Sequence, residues 1–393
     1  MSRKLLFVGA GAVGSYLGAF LWRAGHDVTL VDPWAEQVEA IRQQGLAVTG
    51  PHEPFMARPA AVHLHEAARL PRDFEIAVVA VKAYDTGWAT QLALRHLAPD
   101  GYVVSAQNCW PDPVVAAVAG SARAVGLVMS RIGVALWTPG QVERGVEPGR
   151  AAGHDVFRAG EHDGRITPRI RELADMLSVI DGARVTDNLW GERWAKLCQN
   201  AMSNPVQAMS GLGSQEVAAS EVGRAIMIRL AGESARVGLA LRYRVPGFSG
   251  AAAERWAEAE RRDAYEALDR MLTPTSAAGR SWRASMAQDV AKARATEVDF
   301  MNGHVVAEGA RHSVPTPVSA AVVPQDAQPS RGGRRAETGR GTQGRSKRSV
   351  QSPSVPLTPK AVETPRSALT RPILHSPAGS AGRRPSATRI IAT

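Results

Sequence analysis

Three groups of residues have the types and spacing to do chemistry. The first is Gly9-x-Gly11-x-x-Gly14, entered from the apolar run of residues 5–8 and followed, 23 residues after Gly9, by Asp32. Gly9 allows a sharp turn off a strand, Gly11 keeps side chains away from a pyrophosphate, and Gly14 allows close helix–strand packing. The helix opening at Ala12 and Val13 offers unpaired N–H groups and a positive dipole end to phosphates. Asp32 stands where a carboxylate reaches adenosine ribose hydroxyls. The pattern predicts a dinucleotide site made by Gly9, Gly11, Ala12, Val13, Gly14 and Asp32. A carboxylate repels a 2′-phosphate, and residues 33–36 bring no cation, Arg42 being the nearest base, so the local reading is NAD.

The second group is Lys196, Asn200 and Asn204, spaced i, i+4, i+8 on one stripe of a helix before Pro205. Asn is a poor helix former, and the flanking Leu189, Trp190, Trp194 and Leu197 imply burial. By spacing, a site and an ordinary exposed lysine with polar neighbours are both open. Pro205 predicts that the helix ends or kinks near Asn204. The third group runs from Ser285 through Asp289, Lys292, Thr296 and Glu297 to Asn302. Spacing alone makes it an amphipathic helix with solvated pairs such as Asp289 with Lys292.

The elements that must hold these residues follow from apolar periodicity. Residues 1–166 alternate strand and helix: a helix over 35–44, apolar pieces at 46–48 and 61–64, and a continuous run at 74–81 ending on Lys82. A helix near 85–97 and strands at 102–105 and 125–128 come next, then an expected antiparallel extension of the sheet between residues 133 and 160. Residues 167–323 turn helical, with segments near 168–179, 189–202, 215–237, 251–271 and 281–293. The predicted fold is α/β, an N-terminal Rossmann doubly wound sheet plus a mainly α-helical C-terminal domain. The pattern collapses after Pro317, and residues 324–393 read as a disordered Arg/Ser/Pro-rich tail.

The net charge of +10 belongs to that tail, which holds 13 Lys or Arg against three acids and leaves 34 of each before it. No aromatic residues interleave with those cations, so nucleic acid is not the expected partner. The glycine-rich stretch of residues 5–22 suits neither a signal peptide nor a membrane span. Cys109 and Cys198 make no disulfide framework, and His63 and His65 lack further ligands, so no metal is expected and a cytoplasmic location is.

Taken together and in order, the glycine fingerprint, Val81-Lys82-Ala83-Tyr84-Asp85-Thr86, Gln107-Asn108, the Lys196–Pro205 pattern and Ser285 to Thr296-Glu297 resemble the ketopantoate reductase (2-dehydropantoate 2-reductase) family, over residues 3–318. The resemblance implies nicotinamide-dependent reduction of a small 2-oxo acid, a step of pantothenate biosynthesis. It implies Lys196 as general acid and Glu297 as acceptor from the substrate hydroxyl. Asn108, Asn200, Asn204 and Ser285 would position substrate, and Lys82 and Asn108 would stand beside the cofactor. The family suggests NADPH where Asp32 suggests NAD, and it is compatible with a homodimer. The same fold could serve another 2-oxo or 2-hydroxy acid, or a non-catalytic dinucleotide sensor.

Two further departures are visible. Cys109-Trp110 stands where the family keeps a small residue, which is expected to reshape the pocket. After Thr316-Pro317 the family continues into a helix, and a shifted reading frame downstream of roughly Val323 would explain its loss; translating the other frames is expected to restore it.

Overall fold

The computed structural model describes residues 2–274 and 281–324. Its centre is an eight-stranded sheet in the order β12-β11-β8-β7-β6-β1-β2-β5. The strands are β1 (Lys4–Val8), β2 (Asp27–Asp32), β5 (Ala60–His63), β6 (Phe74–Val79), β7 (Leu97–Ser105), β8 (Ala124–Met129), β11 (Phe157–Glu161) and β12 (Ala183–Val185). The six from β5 to β8 are parallel, and β11 runs antiparallel to β8 with β12 parallel to β11. The sheet reverses direction of growth between β1 and β6, which opens a crevice at their carboxyl ends. Apolar side chains from both faces, such as Phe7 and Leu30 on one and Leu6 and Val79 on the other, are buried by helices. Those helices are α1 (Ala12–Arg23), α2 (Ala35–Gln44), α3 (Thr86–His96) and α4 (Asp112–Ala119).

The expected antiparallel extension divides. Strand β11 extends the main sheet, but β9 (Val134–Thr138) and β10 (Gln141–Arg144) join β3 (Leu46–Thr49) and β4 (Phe55–Ala57) in a separate four-stranded sheet. A register shift between Gln141 and Glu143 interrupts the β9–β10 hairpin. The helical character expected from residue 167 begins with α5 (Pro168–Leu177), yet α5 packs on β11 and β12 and still belongs to the sheet layer.

The second layer starts with α6 (Leu189–Ser210), packed on α7 (Ser214–Ala219) and α8 (Glu221–Ala240). Then follow α9 (Ala253–Ala257), α10 (Arg262–Leu272), α11 (Ser285–Ala291), α12 (Val298–Arg311) and α13 (Pro317–Ala321). Trp194, Trp256, Leu230 and Met301 anchor this core. Helix α6 does not stop near Asn204 but runs through Pro205. Proline has no N–H to give to the Ala201 carbonyl one turn back, and the buried Asn302 side chain of α12 supplies that donor at 3.1 Å. Order also continues past Pro317, because both Glu233 carboxylate oxygens accept the first N–H groups of α13, from Val318 at 2.8 Å and Ser319 at 2.7 Å. The expectations for residues 325–393, disorder and a shifted frame, lie outside the described residues.

Candidate active site

The glycine turn does what its sequence requires. Gly9 sits at φ +107°, and a Cβ there would lie 2.8 Å from the Ala80 backbone, while one on Gly14 would lie 1.9 Å from the Gly9 carbonyl. By contrast, a Cβ on Gly11 would meet nothing within 4 Å. Gly11 faces open space at the start of α1, where N–H groups lack intrahelical partners. A crevice of about 340 Å³ borders it, lined by Gly9, Ala12, Val13, Asp32, Lys82 and Asn108 among others. The open face at Gly11 and the free helix start fit a dinucleotide pyrophosphate.

Asp32 ends β2 and binds the turn directly: one oxygen accepts the Ala10 N–H at 2.6 Å, the other the Trp34 N–H at 2.8 Å. Burial raises its pKa against these bonds. The sequence placed no cation here, but the fold does. Arg294, from the segment after α11, lies 4.8 Å over the Trp34 ring and lowers the cost of the Asp32 charge.

A second cavity of about 530 Å³ shares Val13, Asn108, Ser285 and Gln288 with the crevice. Lys196, Asn200 and Asn204 line it from one stripe of α6, as their spacing predicted. The polar groups form a rail. Asn200 Nδ2 donates to Asn108 Oδ1 at 3.1 Å, Asn204 Nδ2 donates to the Asn200 carbonyl at 3.0 Å, and Asn204 Oδ1 accepts from Ser285 Oγ at 3.2 Å and the Met286 N–H at 3.3 Å. Asn204 therefore ties α11 to α6. The Lys196 ammonium has only burial and a cation, Arg158, acting on it, and no carboxylate partner among the described residues. Burial and the nearby Arg158 push its pKa down to about 8.

Lys82 and Glu297 face the crevice rather than the Lys196 cavity. Glu297 Oε1 accepts the Ala83 N–H at 2.9 Å, and Oε2 lies 3.3 Å from Lys82 Nζ, which also pairs with Asp289 at 2.5 Å. Burial lowers the Lys82 pKa, but these two carboxylates outweigh it and the net shift is upward. Asp289 is not a solvated partner of Lys292: it is buried against Lys82, and Lys292 lies 4.3 Å over the Trp137 ring. Sequence spacing missed Asp289 and Arg294 because their partners stand on the other layer, more than 200 residues away.

The Cys109-Trp110 departure, expected to reshape the pocket, puts neither side chain into its lining. Cys109 is buried, and Trp110 turns into an aromatic cluster with Trp190, Trp194, Tyr243 and His304; neither side chain lines the crevice or the lysine cavity. His63 closes on Glu39 and stacks on His65, and no group of residues able to hold a metal ion occurs among the described residues.

A doubly wound sheet with its switch-point crevice open to a helical layer bearing a lysine is the arrangement of a nicotinamide-dependent oxidoreductase. Two family models match the chain, Ketopantoate reductase PanE/ApbA over residues 5–155 and its C-terminal counterpart over residues 188–324. The chain belongs to the ketopantoate reductase family. It is 27% identical over 319 residues to a 2-dehydropantoate 2-reductase of Archaeoglobus fulgidus, covering 78% of this chain and 91% of that one. A 2-dehydropantoate 2-reductase of Mesorhizobium japonicum is 27% identical over 341 residues, covering 81% and 95%. The fold is also that of a PanE/ApbA family ketopantoate reductase from Ralstonia eutropha JMP134 (TM-score 0.65, 23% identity, 81% and 96% covered). A D-mandelate dehydrogenase solved with NADH and anilino(oxo)acetate shares it too (TM-score 0.66, 20% identity, 81% and 96% covered). No helix among the described residues is long and apolar enough to cross a membrane.

Proposed function

We propose that this chain reduces a small 2-oxo acid of the 2-dehydropantoate type to its 2-hydroxy acid, with Lys196 as general acid. The observation that carries this reading is the unpaired Lys196 ammonium, with its pKa lowered to about 8, in a cavity continuous in its lining with the dinucleotide crevice. When bound, the nicotinamide supplies the hydride. Lys196 attracts the substrate carboxylate, polarises the ketone, and gives a proton from Nζ to the forming alkoxide oxygen. Asn108, Asn200, Asn204 and Ser285 orient substrate and lysine through their rail. Each Glu297 oxygen keeps lone-pair capacity to accept from a substrate hydroxyl. Since Cys109 and Trp110 leave the pocket uncrowded, the family's own substrate is the first to try.

Asp32 favours NADH as donor, because a half-buried carboxylate at the end of β2, lining the crevice, would repel a 2′-phosphate. Arg294 is the feature that would favour NADPH instead. The reading includes a reducing cytoplasm, in which the buried thiols of Cys109 and Cys198 stay free, and a working division near the start of α6 between the cofactor and helical layers. The deciding experiment measures NADH and NADPH oxidation with 2-dehydropantoate and simpler 2-oxo acids, with Lys196→Ala in parallel. Wild-type turnover by Lys196→Ala would remove the assignment.

A further inference from the structure

Arg193 stands on α6 one turn before Lys196, but its guanidinium reaches the end of β7. Its Nη1 donates to the Gln107 carbonyl at 2.8 Å and its Nη2 to the Ser105 carbonyl at 3.4 Å. The same fork holds Asp112, with Nη2 3.1 Å from Oδ1 and Nε 2.8 Å from Oδ2. The two side chains are 1% and 0% exposed. His162 adds a third group 3.7 Å from the carboxylate.

Between these anchors runs Gln107-Asn108-Cys109-Trp110-Pro111. Cys109 sits at φ +65°, a left-handed conformation that non-glycine residues hold at a cost and only where the surroundings impose it. The Gln107 side chain is pinned to the Val81 carbonyl at 3.0 Å and Thr86 Oγ1 at 2.9 Å. Arg193 therefore grips both ends of a strained turn whose centre presents Asn108 to Asn200, and it does so from the helix that carries Lys196.

We propose that the buried Arg193–Asp112 pair is a positioning device that fixes the register between Asn108, at the Rossmann crevice, and Lys196, on the facing helix. A buried ion pair contributes little net stability once its desolvation is counted. What the fork supplies is geometry, two backbone carbonyls and a carboxylate held at once. This inference rests on the proposed roles of Lys196 and Asn108.

The test is the double variant Arg193→Met/Asp112→Asn, which removes both charges at similar volume, because either single loss leaves an unpaired buried charge. The measurements are thermal unfolding, NADH affinity by fluorescence, kcat and KM, and the reactivity of Cys109 towards a disulfide reagent, read at the residue by mass spectrometry. The expected result is NADH affinity within about twofold of wild type, kcat lowered roughly 10- to 100-fold, and Cys109 newly reactive. Arg193→Lys, which keeps charge without the fork, should fall between. A folded double variant with unchanged kcat and unreactive Cys109 overturns the proposal. Should the double variant not fold, Arg193→Lys decides: unchanged kcat overturns it, and reduced kcat with intact NADH affinity supports it. Lys196→Ala runs alongside. Its retention of wild-type kcat would defeat the reading of Lys196, while Cys109 reactivity in the double variant still reports whether the pair holds the turn.

Discussion

The Asn302 side chain donates to the carbonyl of Ala201 at 3.1 Å, filling the gap that Pro205 leaves in the hydrogen-bond ladder of α6. One polar side chain from α12 thus keeps the helix that carries Lys196, Asn200 and Asn204 in one piece across its proline.

Asn302→Ala should lower stability by about 1–3 kcal/mol, because the buried Ala201 carbonyl loses its partner. It should also lower kcat, since Asn204 lies beside the break. Pro205→Ala restores a backbone N–H, so adding it to Asn302→Ala should recover most of both losses. A double-mutant cycle read by thermal unfolding and kcat checks this; purely additive effects would show that the two residues are not coupled.

The lowered Lys196 pKa fixes a pH profile. A general acid acts in its protonated form, so kcat/KM for reduction should be level at low pH and fall as pH rises through about 8. Oxidation of the 2-hydroxy acid needs the neutral amine and should rise through the same region. Initial rates in both directions from pH 6 to 10 test this, and parallel profiles would contradict it.

Removing the charge should stabilise the fold while abolishing turnover. The folded pKa of Lys196 is about 8 and the ordinary value 10.5. The folded state therefore bears the full cost of the buried cation below pH 8 and sheds it as pH rises towards the ordinary value. Lys196→Met should gain roughly 1–3 kcal/mol at pH 7, after discounting for water in the cavity, and the gain should vanish above about pH 10.5. Denaturant unfolding at pH 7 and pH 10 measures the difference; a variant less stable than wild type at pH 7 would refute it.

Asp32→Ser removes the carboxylate but keeps a hydroxyl for the ribose. It should shift the ratio of kcat/KM for NADPH over NADH upward by about tenfold or more, the equivalent of roughly 1.4 kcal/mol. Arg294→Ala should move the ratio the other way. Steady-state kinetics with both donors decide it, and a ratio unmoved by either substitution would remove residues 32 and 294 from donor choice.

Much of the site could be read along the chain because its signals are local. The glycine spacing encodes a turn geometry, and the spacing of Lys196, Asn200 and Asn204 encodes a helix face. The misreadings share one cause. Asp289 as a solvated partner of Lys292, and a helix end as one of the two outcomes expected at Pro205, both followed from neighbours in sequence. In the fold the deciding neighbours are Lys82 and Asn302. They come from other elements, so no local spacing announces them.

The sequence by itself determined that a tight glycine turn at Gly9–Gly14 joins a parallel strand to a helix and that another helix presents Lys196 with two asparagines, since backbone turns and helical periodicity are written in adjacent residues. Only the tertiary structure decided that α6 passes through Pro205, that Arg193 and Asp112 hold Asn108 opposite that helix, and that Arg294 comes to rest beside Asp32. Each of these depends on burying a polar or charged group with its partner, and burial is a property of the packed layers rather than of any segment.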